Sequence, residues 1–303
     1  MYQLDNETML IRTVTADDWL SVAYLTQEES TLHRHLDWRS AQDWIGFVPF
    51  LILESKISDK KVSAEKPEPF LGERYLALLA CPPDPPDVAW VRLFTYTAAR
   101  IEAQRAWSML WEKAAQQLKQ QHEVQYAAAV AMQPWFAEVL DRSGFCFTHN
   151  VVSLIYHHGV AGKGDTSEKN IRLMLSKDLP TIAQLDKDSF IPLWHYALPT
   201  LQLAFQHAAI ATVWEEKKRI LGYQICSVAD EGGHLSRLAV HPEVQGKHIG
   251  TKLVQDLINR FVRRGVFTIT VNTQQNNLAS LAIYHRLGFE YMQENYPVYE
   301  YKL

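Results

Sequence analysis

One segment, residues 236–264, restricts the fold of this chain most, because an apolar strand, a glycine-bearing loop and a helix follow one another directly in it. The loop carries Gly246 and Gly250, which let the backbone approach a ligand closely. Apolar residues recur at helical spacing after the loop: Leu253, Leu257, Ile258 and Phe261. The unpaired N–H groups and the positive dipole end of that helix predict an anion site, to which Lys247 adds a charge. A pyrophosphate group fits such a site.

A second segment, residues 277–289, follows a short strand predicted over 267–272. The two segments, in this order, resemble the GNAT superfamily of acyl-CoA N-acyltransferases. The acyl-CoA loop of that family has the pattern Gln/Arg-x-x-Gly-x-Gly/Ala, and residues 245–250 match its first and last positions. The family's next helix has the pattern Asn-x-x-Ala-x-x-x-Tyr-x-x-x-Gly-Phe, which this chain matches with Asn277, Tyr284, Gly288 and Phe289, with Ser280 replacing the alanine.

The loop departs from the family pattern at His248, which stands where the middle glycine is expected. If that position needs a positive φ, a side chain there costs about 1–2 kcal/mol. Histidine tolerates this conformation better than most residues. We therefore expect the loop to keep its cofactor-binding geometry at some energetic cost.

The resemblance implies that acetyl-CoA is the cosubstrate and that its pantetheine arm lies between two splayed strands, 238–240 and 267–272. It also implies these cofactor-binding residues: Leu238, Ala239, Val240, Gln245, Gly246, Lys247, His248, Ile249, Gly250, Thr251, Asn277 and Tyr284. A backbone N–H of Leu238 or Val240 is expected to stabilise the oxyanion. The Tyr284 hydroxyl is expected to protonate the departing thiolate. Asn277 either binds the pantetheine arm or caps its helix, as asparagine favours.

The resemblance gives no firm general base and only an approximate acceptor site. His234, at the head of the splayed strand, is the best base by position, and a chain of water molecules is the alternative. His241, just before a proline, is interpreted as a turn residue. Residues 190–196 are expected to form the acceptor pocket, with Trp194, His195 and Tyr196 lining it. Aromatic residues that fill a domain interface would give the same sequence.

The N-terminal half repeats the predicted order of elements, so the chain is interpreted as a tandem repeat. Residues 142–145, Arg-Ser-Gly-Phe, align with residues 286–289, Arg-Leu-Gly-Phe. The first copy lacks a glycine loop over 97–104, and Leu140 stands in place of Tyr284, which predicts a degenerate copy without catalytic activity. The predicted fold is α/β with two tandem GNAT-like domains, each a central mixed, mostly antiparallel sheet flanked by helices. The predicted division is a degenerate domain over 1–158, a linker over 159–168 and a catalytic domain over 169–303.

Composition narrows the class of protein. The chain has 303 residues and a formal charge of −4, with no basic run that would favour nucleic-acid binding. Its start lacks an apolar signal core, and no apolar run is long enough to span a bilayer, so a cytoplasmic protein that does not bind membranes is predicted. Three scattered cysteines are interpreted as free thiols, without metal-ligand spacing and hence without a metal site. The polar stretch 54–72 is interpreted as a surface loop.

The sequence thus predicts an acyl-CoA-dependent N-acetyltransferase that moves an acetyl group to an amine by direct attack in a ternary complex. The acceptor is a small-molecule or peptide amine, and the protein is a monomer or a homodimer. Two alternatives remain. One is a non-catalytic acyl-CoA sensor, which would not need Tyr284. The other is a structural tandem scaffold, which would not need the glycine loop that the second copy retains.

Overall fold

The computed structural model describes residues 8–35, 38–56, 74–159, 168–229 and 232–303. It divides into two compact units, one with the residues up to Thr148 plus Pro297–Leu303, the other with His149–Tyr296. The predicted boundaries at 158 and 169 differ from this division because of strand pairing. Residues 298–302 pair with 126–130 in the first unit, whereas residues 151–157 pair with 268–274 in the second. Most of the predicted linker 159–168 and of the polar loop 54–72 lies outside the described residues.

The first unit places its helices on an antiparallel sheet. Its helices are α1 (Trp19–Leu25), α2 (Ala103–Lys119) and α3 (Pro134–Asp141). Its strands are β1 (Thr8–Thr13), β2 (Leu32–Arg34), β3 (Phe50–Lys56), β4 (Tyr75–Ala80), β5 (Val88–Trp90), β6 (Leu93–Tyr96) and β7 (Tyr126–Val130), followed by β8 (Cys146–His157). The strand order is β1-β3-β4-β6-β2. Every residue of β4 is buried because α1 and α2 both pack on it, which explains its continuous apolar run.

The short strand β2 forms one edge of this sheet. Residues 88–96 form two strands: β5 pairs parallel with β7, whereas β6 pairs with β4. The other edge of β6 pairs with β2, which the sequence did not predict. His33 of β2 is fully buried, its Nε2 lies 3.2 Å from the carbonyl oxygen of Val91, and its ring stacks on Phe136 at 4.0 Å. A segment of the chain itself therefore occupies the edge of β6.

The second unit has the same kinds of element in a similar order. Its strands, after β8, are β9 (Ile171–Leu173), β10 (Ile210–Glu216), β11 (Arg219–Ala229), β12 (Gly232–Val240), β13 (Thr268–Gln274) and β14 (Glu290–Lys302), whose last residues belong to the first unit. Its helices are α4 (Leu179–Ser189), α5 (Leu198–Gln206), α6 (Ile249–Arg263) and α7 (Leu278–Arg286). Apolar residues of α6 are buried as their spacing predicts: Leu253, Leu257, Ile258 and Phe261.

The sheet of the second unit opens between two of its strands. The strand order is β9-β10-β11-β12-β13-β8, and β12 and β13 form a parallel pair. That pairing is confined to residues 233–235 of β12 and 269–271 of β13. After Leu235 the edge of β12 leaves β13 while β12 stays paired with β11 as far as Val240. The expected splay is therefore confirmed.

Two details recur in both units and support the repeat. Arg12 donates from Nη1 to Asp18 at 2.7 Å in the first unit, and Arg172 donates from Nη1 to Asp178 at 2.7 Å in the second. In each case a glutamate of the next strand also accepts from the arginine Nε. Helices α3 and α7 are each followed by a glycine with positive φ, 79° at Gly144 and 88° at Gly288. No helix among the described residues is both long and apolar enough to cross a membrane.

Candidate functional site

The opened edge of β12 borders a pocket of about 430 Å³. Three structural elements besides β12 form it: the end of α4, the loop that leads into α6, and one face of α7. Its lining residues are Ser189, Phe190, Leu238, Ala239, Val240, Val244, Gln245, Gly246, His248, Ile249, Gly250, Thr251, Asn277, Ala279, Ser280, Ala282, Ile283 and Arg286. The pocket therefore unites the two sequence segments that carry the resemblance.

The loop that leads into α6 leaves its backbone donors facing this pocket. Helix α6 begins at Ile249, so Gly250 lies in its first turn. His248 has a φ of 61°, which shows that its position needs the left-handed conformation, and its side chain makes no capping hydrogen bond. The first N–H groups of α6 consequently lack a partner within the helix. Gly246 has a φ of 79°, and no heavy atom of the described residues would lie within 4 Å of a Cβ at this position, so open space adjoins the loop.

The peptide groups of Val240 face the pocket rather than β11. The carbonyl oxygen of Val240 accepts hydrogen bonds from Gln245 Nε2 at 3.0 Å and from Ser189 Oγ at 3.3 Å. By contrast, the N–H of His241 donates to Leu221 of β11 at 2.9 Å. Because the N–H and C=O of one strand residue point to the same edge and alternate along the strand, the N–H groups of Val240 and Leu238 face the open edge. These are the donors expected for the oxyanion.

Most of the predicted cofactor-binding residues line the pocket, but Lys247 and Tyr284 do not. Lys247 is exposed to solvent beside the loop. Asn277 lines the pocket and also caps α7, because its Oδ1 accepts from the N–H of Ser280 at 3.2 Å. The capping interpretation of Asn277 is thus confirmed, and its Nδ2 lies 3.4 Å from Gln274 Oε1.

Tyr284 lies on the core side of α7. Its side chain is 3% exposed and its ring packs on Phe289 at 5.5 Å between centroids. Burial raises the pKa of the Tyr284 phenol above its usual range, the nearby Cys226 raises it further, and the side chain of Ser280 lowers it. Ser280 thus interacts with the phenol and also lines the pocket.

His234 lies on the paired part of β12, away from the pocket lining. Its Nδ1 is 2.8 Å from Thr270 Oγ1 of β13. Burial lowers the pKa of His234, which keeps the imidazole neutral and able to accept a proton. Four residues of extended strand, about 13 Å, separate it from Leu238, so a proton passing between them needs water.

Sequence reasoning missed several residues that the structure brings to the pocket, of which Arg286 is the most consequential. Arg286 is on the pocket face of α7, and its Nη1 donates to His248 Nδ1 at 3.4 Å. The sequence contains a pattern that could have placed Arg286 there, because Ala279, Ala282 and Arg286 share one helical face at spacings of three and four residues. Arg286 adds the positive charge that Lys247 was expected to supply.

The predicted acceptor residues lie on a short segment beside β12. Trp194 ends a 3-10 helix, His195 follows in extended conformation, and Tyr196 lies between it and α5. All three are partly buried and none lines the pocket, which instead receives Phe190 from the same segment. The ring of Trp194 contacts that of His149 edge-on at 5.8 Å.

A buried ion pair that the sequence did not predict lies behind this segment. Arg237 of β12 donates from Nε and Nη2 to the two oxygens of Asp186 in α4, both at 2.7 Å. The hydroxyl of Tyr223 also donates to Asp186. Asp186 and Tyr223 are fully buried and Arg237 is 8% exposed. Burial opposes the guanidinium charge, but Asp186 outweighs it and raises the pKa of Arg237 above its usual range.

The chemistry of the pocket favours an anionic ligand. Among the described residues, no group of three or more His, Cys, Asp and Glu side chains is placed to hold a metal. The described lining includes His248 and Arg286 but no carboxylate. Backbone donors, a helix N-terminus and an arginine suit an anionic, extended ligand.

Sequence comparison identifies the family. The profile of the Acetyltransferase (GNAT) family matches residues 179–289, which contain β12, the α6 loop and α7. Residues 179–289 therefore carry a GNAT-family domain. The match includes all the residues that line the pocket.

Two curated relatives are named as acetyltransferases. The chain is 32% identical to the ribosomal protein bS18 alanine N-acetyltransferase of Salmonella typhimurium over 71 residues, 23% of this chain and 48% of that protein. It is 30% identical to the L-methionine sulfoximine/L-methionine sulfone acetyltransferase of the same organism over 96 residues, 25% of this chain and 56% of that protein. The chain thus spans about half the length of these relatives.

The whole chain resembles a solved tandem protein. A tandem GNAT protein from the clavulanic acid biosynthesis pathway superposes with a TM-score of 0.59 at 14% identity, covering 97% of this chain and 98% of that one. At this identity the likeness concerns the fold alone. It confirms the predicted fold of two tandem GNAT-like domains.

Proposed function

We propose that this chain is an N-acetyltransferase that transfers an acetyl group from acetyl-CoA to an amine in a ternary complex. One observation carries the proposal: the open edge of β12 and the N-terminus of α6 meet in one pocket of about 430 Å³. The strand edge offers peptide groups to a pantetheine arm, and the helix offers N–H groups to a pyrophosphate. Arg286 supplies a further charge for a phosphate.

Acetyl transfer then needs little covalent chemistry from the protein. The amine nitrogen attacks the thioester carbon, the resulting oxyanion accepts a hydrogen bond from Leu238 or Val240 N–H, and the carbon–sulfur bond breaks to release the thiolate of CoA. Holding the two reactants in line supplies several kcal/mol of the barrier reduction without a covalent enzyme intermediate. The outward-facing peptide groups of Val240 support this arrangement.

The thiolate gains one proton, the amine loses one before it attacks, and the nitrogen of the tetrahedral intermediate loses another, which restores the Tyr284 phenol. In our proposal Tyr284 donates one to the thiolate, and Ser280, which interacts with the phenol and lines the pocket, supports this route. The amine must also lose a proton before it attacks, and His234 receives it through water. The neutral imidazole of His234 supports this role, whereas its distance from Leu238 makes solvent alone the alternative base.

The acceptor in this proposal is a primary amine of a small molecule or of a peptide N-terminus. The names of the curated relatives cover both, since one modifies an alanine of a ribosomal protein and the other an amino-acid derivative. The segment with Trp194, His195 and Tyr196 borders the amine in our arrangement. Its partly buried aromatic side chains support contact with an apolar part of the acceptor.

A thiol-release assay tests the proposal. The purified chain and acetyl-CoA are incubated with a panel of amino acids and their sulfones, polyamines, aminoglycosides and peptides with different N-terminal residues. Transfer to at least one amine, detected as free CoA and as an added acetyl mass, is expected. Gly250→Glu should abolish the signal, because its carboxylate enters the phosphate end of the pocket. Absence of transfer to every amine despite acetyl-CoA binding would contradict the proposal.

One observation favours a second function, that of an acyl-CoA sensor. The described pocket lining contains no carboxylate, and the Tyr284 side chain is buried in the core. A sensor needs only the cofactor-binding part of the pocket. Binding of acetyl-CoA without turnover of any amine in the same assay is the result that a sensor predicts.

A further inference from the structure

The buried pair of Arg237 and Asp186 makes contacts that an ion pair serving only to join two elements would not need. Besides its bonds to Asp186, Arg237 donates from Nη2 to the carbonyl oxygen of Trp194 at 2.7 Å. Asp186 Oδ1 accepts from the backbone N–H of Tyr196 at 2.6 Å. Both members of the pair thus hold the backbone of the segment that carries the proposed acceptor residues.

Two aromatic rings of the same segment enclose the guanidinium. The Cζ atom of Arg237 lies 3.7 Å from the ring centroid of Phe190 and 4.0 Å from that of Tyr196. Phe190 also lines the proposed acetyl-CoA pocket, and Arg237 directly precedes Leu238 on β12. The segment therefore contacts Arg237, the residue next to the proposed oxyanion donor, at three points and Asp186 at a fourth.

We infer that Arg237 and Asp186 are positioning residues that hold residues 190–196 as the acceptor wall at a fixed distance from the edge of β12. The inference rests on the proposed acetyltransfer and names the residues that set the place of the amine. A planar guanidinium can bond Asp186 through two atoms and still reach the Trp194 carbonyl, whereas a lysine ammonium cannot reproduce this fork. Loss of the fork should loosen the wall while leaving the donor pocket intact.

Arg237→Lys tests the inference, because it keeps the buried charge. Arg172→Lys is the matched control: Arg172 forms the same fork with Asp178 in the same unit, and neither residue lines the pocket. Hydrogen exchange at the Tyr196 amide is measured first and needs no activity. It should accelerate in Arg237→Lys and remain unchanged in Arg172→Lys.

Steady-state kinetics with the amine found in the thiol-release assay supply the second readout. We expect Arg237→Lys to raise the acceptor KM and lower kcat/KM for the acceptor by about 10- to 100-fold, since small misplacements of a reactant have effects of that size. The Kd of acetyl-CoA should stay unchanged. Tyr223→Phe, which removes one donor to Asp186 but keeps Arg237, should give a smaller change in the same direction.

Different results would contradict the proposed function and the positioning role. A parent enzyme that transfers acetyl to no amine overturns the proposed function and this inference with it. An active parent whose acceptor KM is unaltered by Arg237→Lys, or is altered equally by Arg172→Lys, overturns only the positioning role.

Discussion

His248 adopts the left-handed conformation at the place where the family pattern has glycine, with a φ of 61°. The loop therefore keeps the backbone geometry of the pattern and accepts strain at one residue. Its imidazole in return accepts a hydrogen bond from Arg286, at 3.4 Å. This bond is long, so it offsets little of the strain.

We expect His248→Gly to raise the free energy of unfolding by roughly 0.5–1 kcal/mol, because glycine relieves the strain but makes the unfolded chain more flexible. Urea denaturation of parent and variant measures the difference. The Kd of acetyl-CoA should be maintained. A lower denaturation midpoint in the variant would mean that the contact with Arg286 stabilises the loop more than the strain destabilises it.

Tyr284 is the proposed general acid that protonates the CoA thiolate. We expect Tyr284→Phe to keep the fold and the acetyl-CoA affinity and to lower kcat by about 10²–10⁴-fold if protonation of the thiolate limits the rate. Ser280→Ala should lower kcat less, since it removes only a side chain that interacts with the phenol. Unchanged turnover in Tyr284→Phe would leave this tyrosine a core residue.

The proposed role of His234 as general base is tested by the pH profile of kcat/KM for the amine. An aliphatic ammonium, with a pKa of about 10.4, is almost wholly charged at neutral pH and needs a proton acceptor. Because burial lowers the pKa of His234, we expect the base to remain active below the ordinary histidine range. His234→Ala should lower kcat/KM for the amine and shift the acidic limb of its pH profile, without changing acetyl-CoA binding. A profile that overlays that of the parent would assign the proton to water.

At the scale of elements, the structure follows the sequence where local patterns determine the element. The periodic apolar residues of α6 and the Asn-to-Gly pattern of α7 each predicted a helix where the structure has one. The three-residue strand β2 has no periodicity to detect, and nothing local marks the break between β5 and β6. Arg237 and Asp186 are 51 residues apart, so only the folded sheet brings them together. Long-range pairing explains these omissions.

Strand β2 makes the stability of the first unit depend on pH. Burial lowers the pKa of His33 from 6.5 to about 4. The unfolded chain therefore takes up a proton as the pH falls below 6.5, whereas the folded unit does so only near pH 4. The stabilisation is complete above pH 6.5 and falls by about 3 kcal/mol as the pH drops to 4. Burial of the partly exposed His35 side chain lowers its pKa too, so its contribution has the same sign.

His33→Gln isolates this effect, because glutamine can still donate to Val91 but does not titrate. We expect the difference in unfolding free energy between pH 7 and pH 4 to be about 3 kcal/mol smaller in the variant. Urea denaturation at the two pH values measures it. His207→Gln replaces an exposed histidine and should behave like the parent. Equal acid sensitivity in His33→Gln and the parent would show that His33 is already accessible to solvent in the folded unit.

At the scale of the whole molecule, the two copies share a fold but differ at the edge where the second presents its pocket. In the second unit, β12 leaves its edge open after Leu235, whereas in the first unit β2 pairs with the edge of β6. The pantetheine arm and a β-strand would need the same peptide groups, so we expect β2 to exclude the arm. The first unit also has no glycine in residues 97–104 at the start of its long helix.

We therefore expect one acetyl-CoA to bind per chain, as measured by calorimetric titration of the full-length protein. Gly250→Glu should abolish binding, because a Cβ at this position already lies 2.9 Å from Ile283 Cδ1 and the added carboxylate would repel the pyrophosphate. Ala98→Glu is the matched control, since it adds a carboxylate near the start of the long helix in the first unit, where no acetyl-CoA is expected. A stoichiometry near two, or a loss of binding in Ala98→Glu equal to that in Gly250→Glu, would show that β2 yields its place on β6 to a second cofactor.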